Sequence, residues 1–212
     1  MVLDKKVAEQ TVNFLTQINA IKLNTKNPFT WTSGIKSPIY CDNRLVLSYP
    51  KIRDFIADSM SQIIKNKYGE DISIAGVATG AIAMGIMIAE RLDLPYAYVR
   101  PEPKGHGLKN QIEGSINKNS SVVVIEDLIS TGKSSLNAIN ALKSDGYNVM
   151  GMLSIFSYNF EFANKKFVSE KITIDSLADY NTLVEIIESK GELSDEEISR
   201  LKKWREDPKS WG

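Results

Sequence analysis

A chain of 212 residues, 42% of them hydrophobic, is long enough to bury a core in one α/β domain without covalent staples. Its 26 basic and 26 acidic residues cancel, which argues against a generic polyanion binder and against an acidic disordered tail. One cysteine, Cys41, excludes an intrachain disulfide framework and an all-cysteine metal site, and no apolar run reaches the ~18 residues of a membrane span.

The opening Met1-Val2-Leu3-Asp4-Lys5-Lys6 enters a polar, helix-like pattern and not a signal-peptide core, so a cytoplasmic, reducing location is expected. Val7, Thr11, Leu15 and Ile18 recur near helical spacing and predict an amphipathic helix over 3–18. Residues 28–50 are not helical. Turn formers (Asn27-Pro28, Ser33-Gly34, Ser37-Pro38) alternate there with Trp31, Ile35, Ile39 and Tyr40, which fits a hairpin or extended flap. Residues 51–68 return to helix, with Ile52, Phe55, Ile56, Met60, Ile63 and Ile64 on one face.

Short apolar runs then alternate with helices. Strands are predicted at 72–78, 96–100, 121–127, 149–156 and 171–176, and helices at 81–92, 133–144 and 178–190. A final helix starts at Ser194, where Ser194-Asp195-Glu196-Glu197 has capping-box form, and ends near Pro208. Strands apolar on both faces and separated by helices indicate a parallel sheet with helices on both faces. The expected organisation is one domain over 1–212, in which residues 1–50 form a helix and a flap over the site.

Ligands of such sheets gather beyond the carboxyl ends of the strands. The most heavily loaded end is Val122-Val123-Val124-Ile125-Glu126-Asp127-Leu128-Ile129-Ser130-Thr131-Gly132-Lys133-Ser134-Ser135. Backbone N–H groups of the turn and the following helix N-terminus form a concave positive site for a phosphate. The hydroxyls of Ser130, Thr131, Ser134 and Ser135 add donors. Glu126 and Asp127 do the opposite job, accepting hydrogen bonds from neighbouring sugar hydroxyls. Acids followed by an anion cradle suit a ribose 5-phosphate. The bland alternative is a strand ending in Asp ahead of a capped helix. A nucleoside-triphosphate loop fails, because the glycine it needs five residues before Gly132 is Asp127.

This turn resembles the phosphoribosyl pyrophosphate (PRPP) motif of the type I phosphoribosyltransferases. Two further stretches resemble the orotate-using branch of that family: Phe29-Thr30-Trp31-Thr32-Ser33-Gly34-Ile35-Lys36-Ser37-Pro38-Ile39-Tyr40, and Tyr98-Val99-Arg100-Pro101-Glu102-Pro103-Lys104-Gly105-His106-Gly107. The resemblance implies the type I phosphoribosyltransferase fold with an N-terminal flap, or hood. It also implies transfer of the phosphoribosyl group of PRPP to orotate in pyrimidine synthesis, with Mg2+ held mainly by PRPP and water and no direct protein ligand. By matching position, Arg100, Lys104 and His106 hold the pyrophosphate. Glu126 and Asp127 hold the ribose, and Leu128, Ile129, Ser130, Thr131, Gly132, Lys133 and Ser134 wrap the 5-phosphate. Ser130, with Lys36 and Tyr40, reaches orotate. Lys104, His106 and Asp127 are the expected catalytic residues. The family also implies a homodimer in which each subunit's lid serves its partner's site.

Residues 101–114 are long for a connector inside a compact domain, and their glycines, lysines and lone histidine fit a lid that closes on a pyrophosphate and expels water. Some positions depart from the family pattern. Pro101, Thr32 and Gly80 stand where lysine is common, and no arginine stands near Tyr158-Asn159 to meet orotate. The alternatives are a phosphoribosyltransferase for another nucleobase and a nucleic-acid-binding regulator on the same fold. The neutral charge speaks against the latter, so neither nucleic acid nor a membrane is expected as a partner.

Overall fold

The computed structural model describes residues 1–31, 34–103, 110–208 and 211. Asp4 starts the first helix, α1 (Lys5–Gln17), by accepting hydrogen bonds from the backbone N–H groups of Lys6 (2.8 Å) and Val7 (3.0 Å). The helix buries Ala8, Val12 and Leu15. Four short strands follow, β1 (Ile21–Leu23), β2 (Phe29–Thr30), β3 (Lys36–Ser37) and β4 (Ile39–Cys41). β1 pairs antiparallel with β4, and β2 with β3. The flap is therefore two small ribbons. A 3₁₀ turn at Asn43–Ser48, not expected from the sequence, carries the chain into α2 (Pro50–Tyr68), whose proline occupies the first turn, where its missing N–H costs nothing.

The remaining elements are β5 (Ile72–Val77), α3 (Ile82–Leu92), β6 (Tyr96–Val99), β7 (Ile112–Glu113), β8 (Ser121–Ile129), α4 (Lys133–Ser144), β9 (Asn148–Ser157), α5 (Glu161–Ser169), β10 (Thr173–Asp179), α6 (Tyr180–Lys190) and α7 (Asp195–Glu206). The main sheet has the order β10-β9-β8-β5-β6-β7, parallel throughout except for β7. Alternation along β8 divides the core. Val123 and Ile125 face a cluster built from α1, α2, α3, α6 and α7, while Val122 and Val124 face one that includes Ala138, Ile139 and Leu142 of α4 and Phe167 of α5. Both faces are covered, as a parallel sheet requires. From β5 the chain steps to β6 on one side, and from β8 through β9 to β10 on the other. The crevice of this reversal lies between β5 and β8.

Further elements differ from the sequence reading: β7 falls inside residues 101–114, read as a lid without strand periodicity, and pairs antiparallel with Tyr98 and Val99 of β6. α5 was not predicted, although β9 and β10 pair in parallel and need a crossover between them. Phe160, Ala163 and Phe167 are buried there at helical spacing, but Phe162 and the exposed Val168 stand beside that face and blur it. β8 continues past the acids to Ile129, and β10 runs to Asp179, which then caps α6 by accepting from the Thr182 N–H at 3.0 Å. The capping box at Ser194 forms as expected, with reciprocal bonds of 3.3 and 3.1 Å to Glu197. No helix among the described residues is long and apolar enough to cross a membrane.

Candidate active site

The register that sets Gly76 beside Ile125 brings the ends of β5 and β8 together, so Ala78-Thr79-Gly80 lies next to Glu126-Asp127. Neighbouring residues of a strand point to opposite faces, and the two acids are accordingly in different environments. Glu126 is buried. Its Oε2 accepts from the Ser135 hydroxyl at 2.9 Å and its Oε1 from the Asp127 N–H at 3.1 Å. Asp127 is partly exposed, and its carboxylate lies against Gly80, where an added Cβ would come within 2.6 Å of Oδ1. A Cβ at position 80 would push that carboxylate from its place, and glycine leaves it there.

Burial pushes the Glu126 carboxyl well above the ordinary carboxylate range, and the charge of Asp127 adds to the effect. Burial also raises Asp127.

Beyond the acids, Leu128 packs against one apolar cluster and Ile129 is buried in the other, while the Ile129 carbonyl accepts from the Tyr158 N–H at 2.9 Å. Ser130 and Thr131 are partly exposed, and Lys133 and Ser134 are exposed at the start of α4. Gly132 has φ 75° and lies so close to α5 that a Cβ would sit 2.9 Å from the Phe167 ring. Glycine satisfies both demands. The hydroxyl of Ser135, expected to be free for a phosphate, is instead turned inward onto Glu126.

Arg100 directly follows β6 and is partly exposed, its Nη1 3.5 Å from Glu113 Oε1. Its main chain is pinned on both sides: its N–H donates to the Gln111 carbonyl at 2.8 Å, and Gln111 Nε2 donates to the Arg100 carbonyl at 2.8 Å. Asn137 Nδ2 of α4 donates to the Pro101 carbonyl at 2.7 Å. A cavity of about 730 Å³ opens among Arg100, Thr131, Lys133, Ser134 and Ala78. It brings Arg100 to the same recess as Thr131, Lys133 and Ser134, whereas Asp127 and Ser130 do not line it. Lys166 of α5 lines it too, a cation missed together with its helix. Lys104 and His106 lie outside the described residues, as do Thr32 and Ser33.

Lys36 and Tyr40 are exposed on the flap, the Tyr40 ring 5.8 Å from that of Phe29. The flap is fastened below by Asn43. This buried amide donates through Nδ2 to the Asp127 carbonyl at 2.6 Å, and its Oδ1 accepts from the Cys41 thiol at 3.2 Å. Burial, followed by the nearby Asp127 charge, pushes the Cys41 thiol up and keeps it a donor. Nothing local in the sequence marks Asn43, because its partner is 84 positions away. An arginine does approach Asn159, from α7: Arg205 Nη2 donates to the Asn159 carbonyl at 3.0 Å.

Residues 46–170 match the phosphoribosyl transferase domain family. The chain is 45% identical over 208 residues to an orotate phosphoribosyltransferase of Porphyromonas gingivalis, covering 98% of this chain and 99% of the relative. It is 47% identical over 209 residues to one of Phocaeicola vulgatus, covering 99% and 97%. Among solved structures, an orotate phosphoribosyltransferase from Aeropyrum pernix superposes with a TM-score of 0.75 at 30% identity, over 86% of this chain and 99% of that one.

Proposed function

From the premise that the chain belongs to the orotate phosphoribosyltransferase family, we propose that it transfers the 5-phosphoribosyl group of PRPP to orotate at the crevice between β5 and β8, with Asp127 as its central group. The products are orotidine 5′-monophosphate and pyrophosphate. The observation that carries the assignment is the partly exposed Asp127 carboxylate, lodged against Gly80 two residues before the end of β8, with the hydroxyl turn that opens α4 just beyond.

Asp127 accepts hydrogen bonds from the ribose hydroxyls, and Glu126 supports it from behind. The backbone N–H groups of 128–134 and the hydroxyls of Ser130, Thr131 and Ser134 seat the 5-phosphate at the start of α4. Arg100 grips the pyrophosphate by its planar fork, and Lys104 and His106 close over it from the partner subunit of a homodimer. Ser130, Lys36 and Tyr40 meet orotate. As the glycosidic bond to pyrophosphate breaks, positive charge grows on the anomeric carbon and negative charge on the leaving group. These residues stabilise the leaving anion and align the incoming ring nitrogen, so no covalent nucleophile is required.

Among the described residues no three His, Cys, Asp or Glu side chains gather to hold a metal. The oxygen donors here are the Asp127 carboxylate and the hydroxyls of the turn, a set that suits a magnesium ion drawing most of its ligands from pyrophosphate and water. Such an ion supplies positive charge to the departing pyrophosphate. The deciding experiment follows the loss of orotate absorbance with PRPP and magnesium, with uracil, adenine and hypoxanthine in parallel. Turnover of orotate alone is expected; preference for another base would overturn the assignment.

A further inference from the structure

We infer that Trp204 of α7 is a positioning residue for the base flap, acting through the carbonyl of Lys36; this rests on the assignment of the flap to orotate made above. β2 and β3 are two residues each, and a ribbon that short does not hold its own shape in water. Its position over the strand tips must come from what it touches. Trp204 is fully buried, and its indole N–H donates to the Lys36 carbonyl at 2.9 Å. The same ring packs edge-on against Trp31 with centroids 5.7 Å apart, and Trp31 lies 4.9 Å from Tyr158, just past the end of β9. Trp31 Nε1 in turn donates to the Ile39 carbonyl at 3.3 Å.

Two more bonds tie the same helix to its surroundings. The Thr25 hydroxyl, ahead of β2, donates to Glu197 Oε1 at 2.9 Å, and Arg205 holds the Asn159 carbonyl. α7 thus spans from the root of the flap to the end of β9. The bond is partly buried, and removing the indole N–H takes away the protein partner of the Lys36 carbonyl, leaving the ribbon with one tie fewer. The Lys36 side chain leaves the backbone at the residue so held, and the course of its ammonium follows Trp204. Both α7 and the flap ribbons lie outside residues 46–170, the part matching the phosphoribosyl transferase domain. The base side of the site is assembled from the two ends of the chain, and the PRPP side from the stretch between them.

Trp204→Phe keeps an aromatic ring and removes only the donor. The orotate KM is expected to rise about fivefold, equivalent to about 1 kcal/mol, while the PRPP KM and kcat stay within about twofold. A merely structural role would lower the melting temperature and leave the ratio of the two KM values unchanged, and that result would overturn the inference. Should Trp204→Phe fail to fold, Thr25→Val breaks the neighbouring tie, and the same selective rise in orotate KM is required of it. The unsubstituted chain is assayed alongside. If it does not consume orotate, the activity assignment itself fails; if it does and the KM ratio does not move, only the role of Trp204 fails.

Discussion

The two halves of the candidate site are built in opposite ways. On the PRPP side, nine consecutive residues, 126–134, supply the acids, the hydroxyls and the helix start, carried by a central strand and backed by Phe167 of α5. On the side proposed for the base, the flap is held by Asn43, which reaches the Asp127 carbonyl, by Trp31, which bonds Ile39 within the flap, and by Trp204 from the far end of the chain. A contiguous motif on rigid elements holds its geometry through local backbone structure. A flap of two- and three-residue strands depends in addition on partners far along the chain, so damage on the two sides should produce different kinetic signatures.

The largest effect is expected from Asp127→Asn, which should lower kcat roughly 100-fold, the order found when one preorganised polar group is lost from a transition state, with folding intact by circular dichroism. An active variant would move the centre of the site elsewhere. Next is Gly80→Ala. Its Cβ would displace the Asp127 carboxylate, and kcat/KM for both substrates should fall about 30-fold, in line with misplacement by about 1 Å. Loss confined to orotate would mean that Gly80 belongs to the base side. Tyr40→Ala acts on the flap alone and should raise the orotate KM about fivefold, the worth of a weak base–aromatic stack, leaving PRPP unaffected.

The smallest effect sharpens the difference between the adjacent acids. Because the folded state raises the Glu126 pKa, its contribution to stability is fully present below the ordinary value of about 4.3 and is lost as pH rises through the folded value. Glu126→Gln removes that loss and keeps an acceptor for Ser135. Thermal melts should find the variant as stable as the parent chain or more so at pH 8, with the difference shrinking toward pH 4–5. A gap that widens on acidification would contradict the buried, proton-retaining role given to Glu126.

Much of the sheet was legible because its strands are uninterrupted apolar runs between amphipathic helices, a pattern that parallel pairing alone explains well. α5 was not, since Phe162 and the exposed Val168 blur the short face of Phe160, Ala163 and Phe167, and with it went Lys166 and the packing behind Gly132. The two acids read alike in the sequence. Side-chain alternation along β8 then buried Glu126 on Ser135 and left Asp127 beside Gly80. Asn43, Trp204 and Arg205 had no local signature, because each acts on a backbone carbonyl far along the chain.

By itself the amino-acid order determined the α/β class, the run of elements and the acid–hydroxyl–glycine turn, all of which depend on neighbours in sequence and on the periods of strand and helix. Tertiary structure alone decided which acid faces the crevice, what lies against Gly80 and what holds the flap. Those outcomes depend on strand register and on hydrogen bonds between segments brought together only when the core closes.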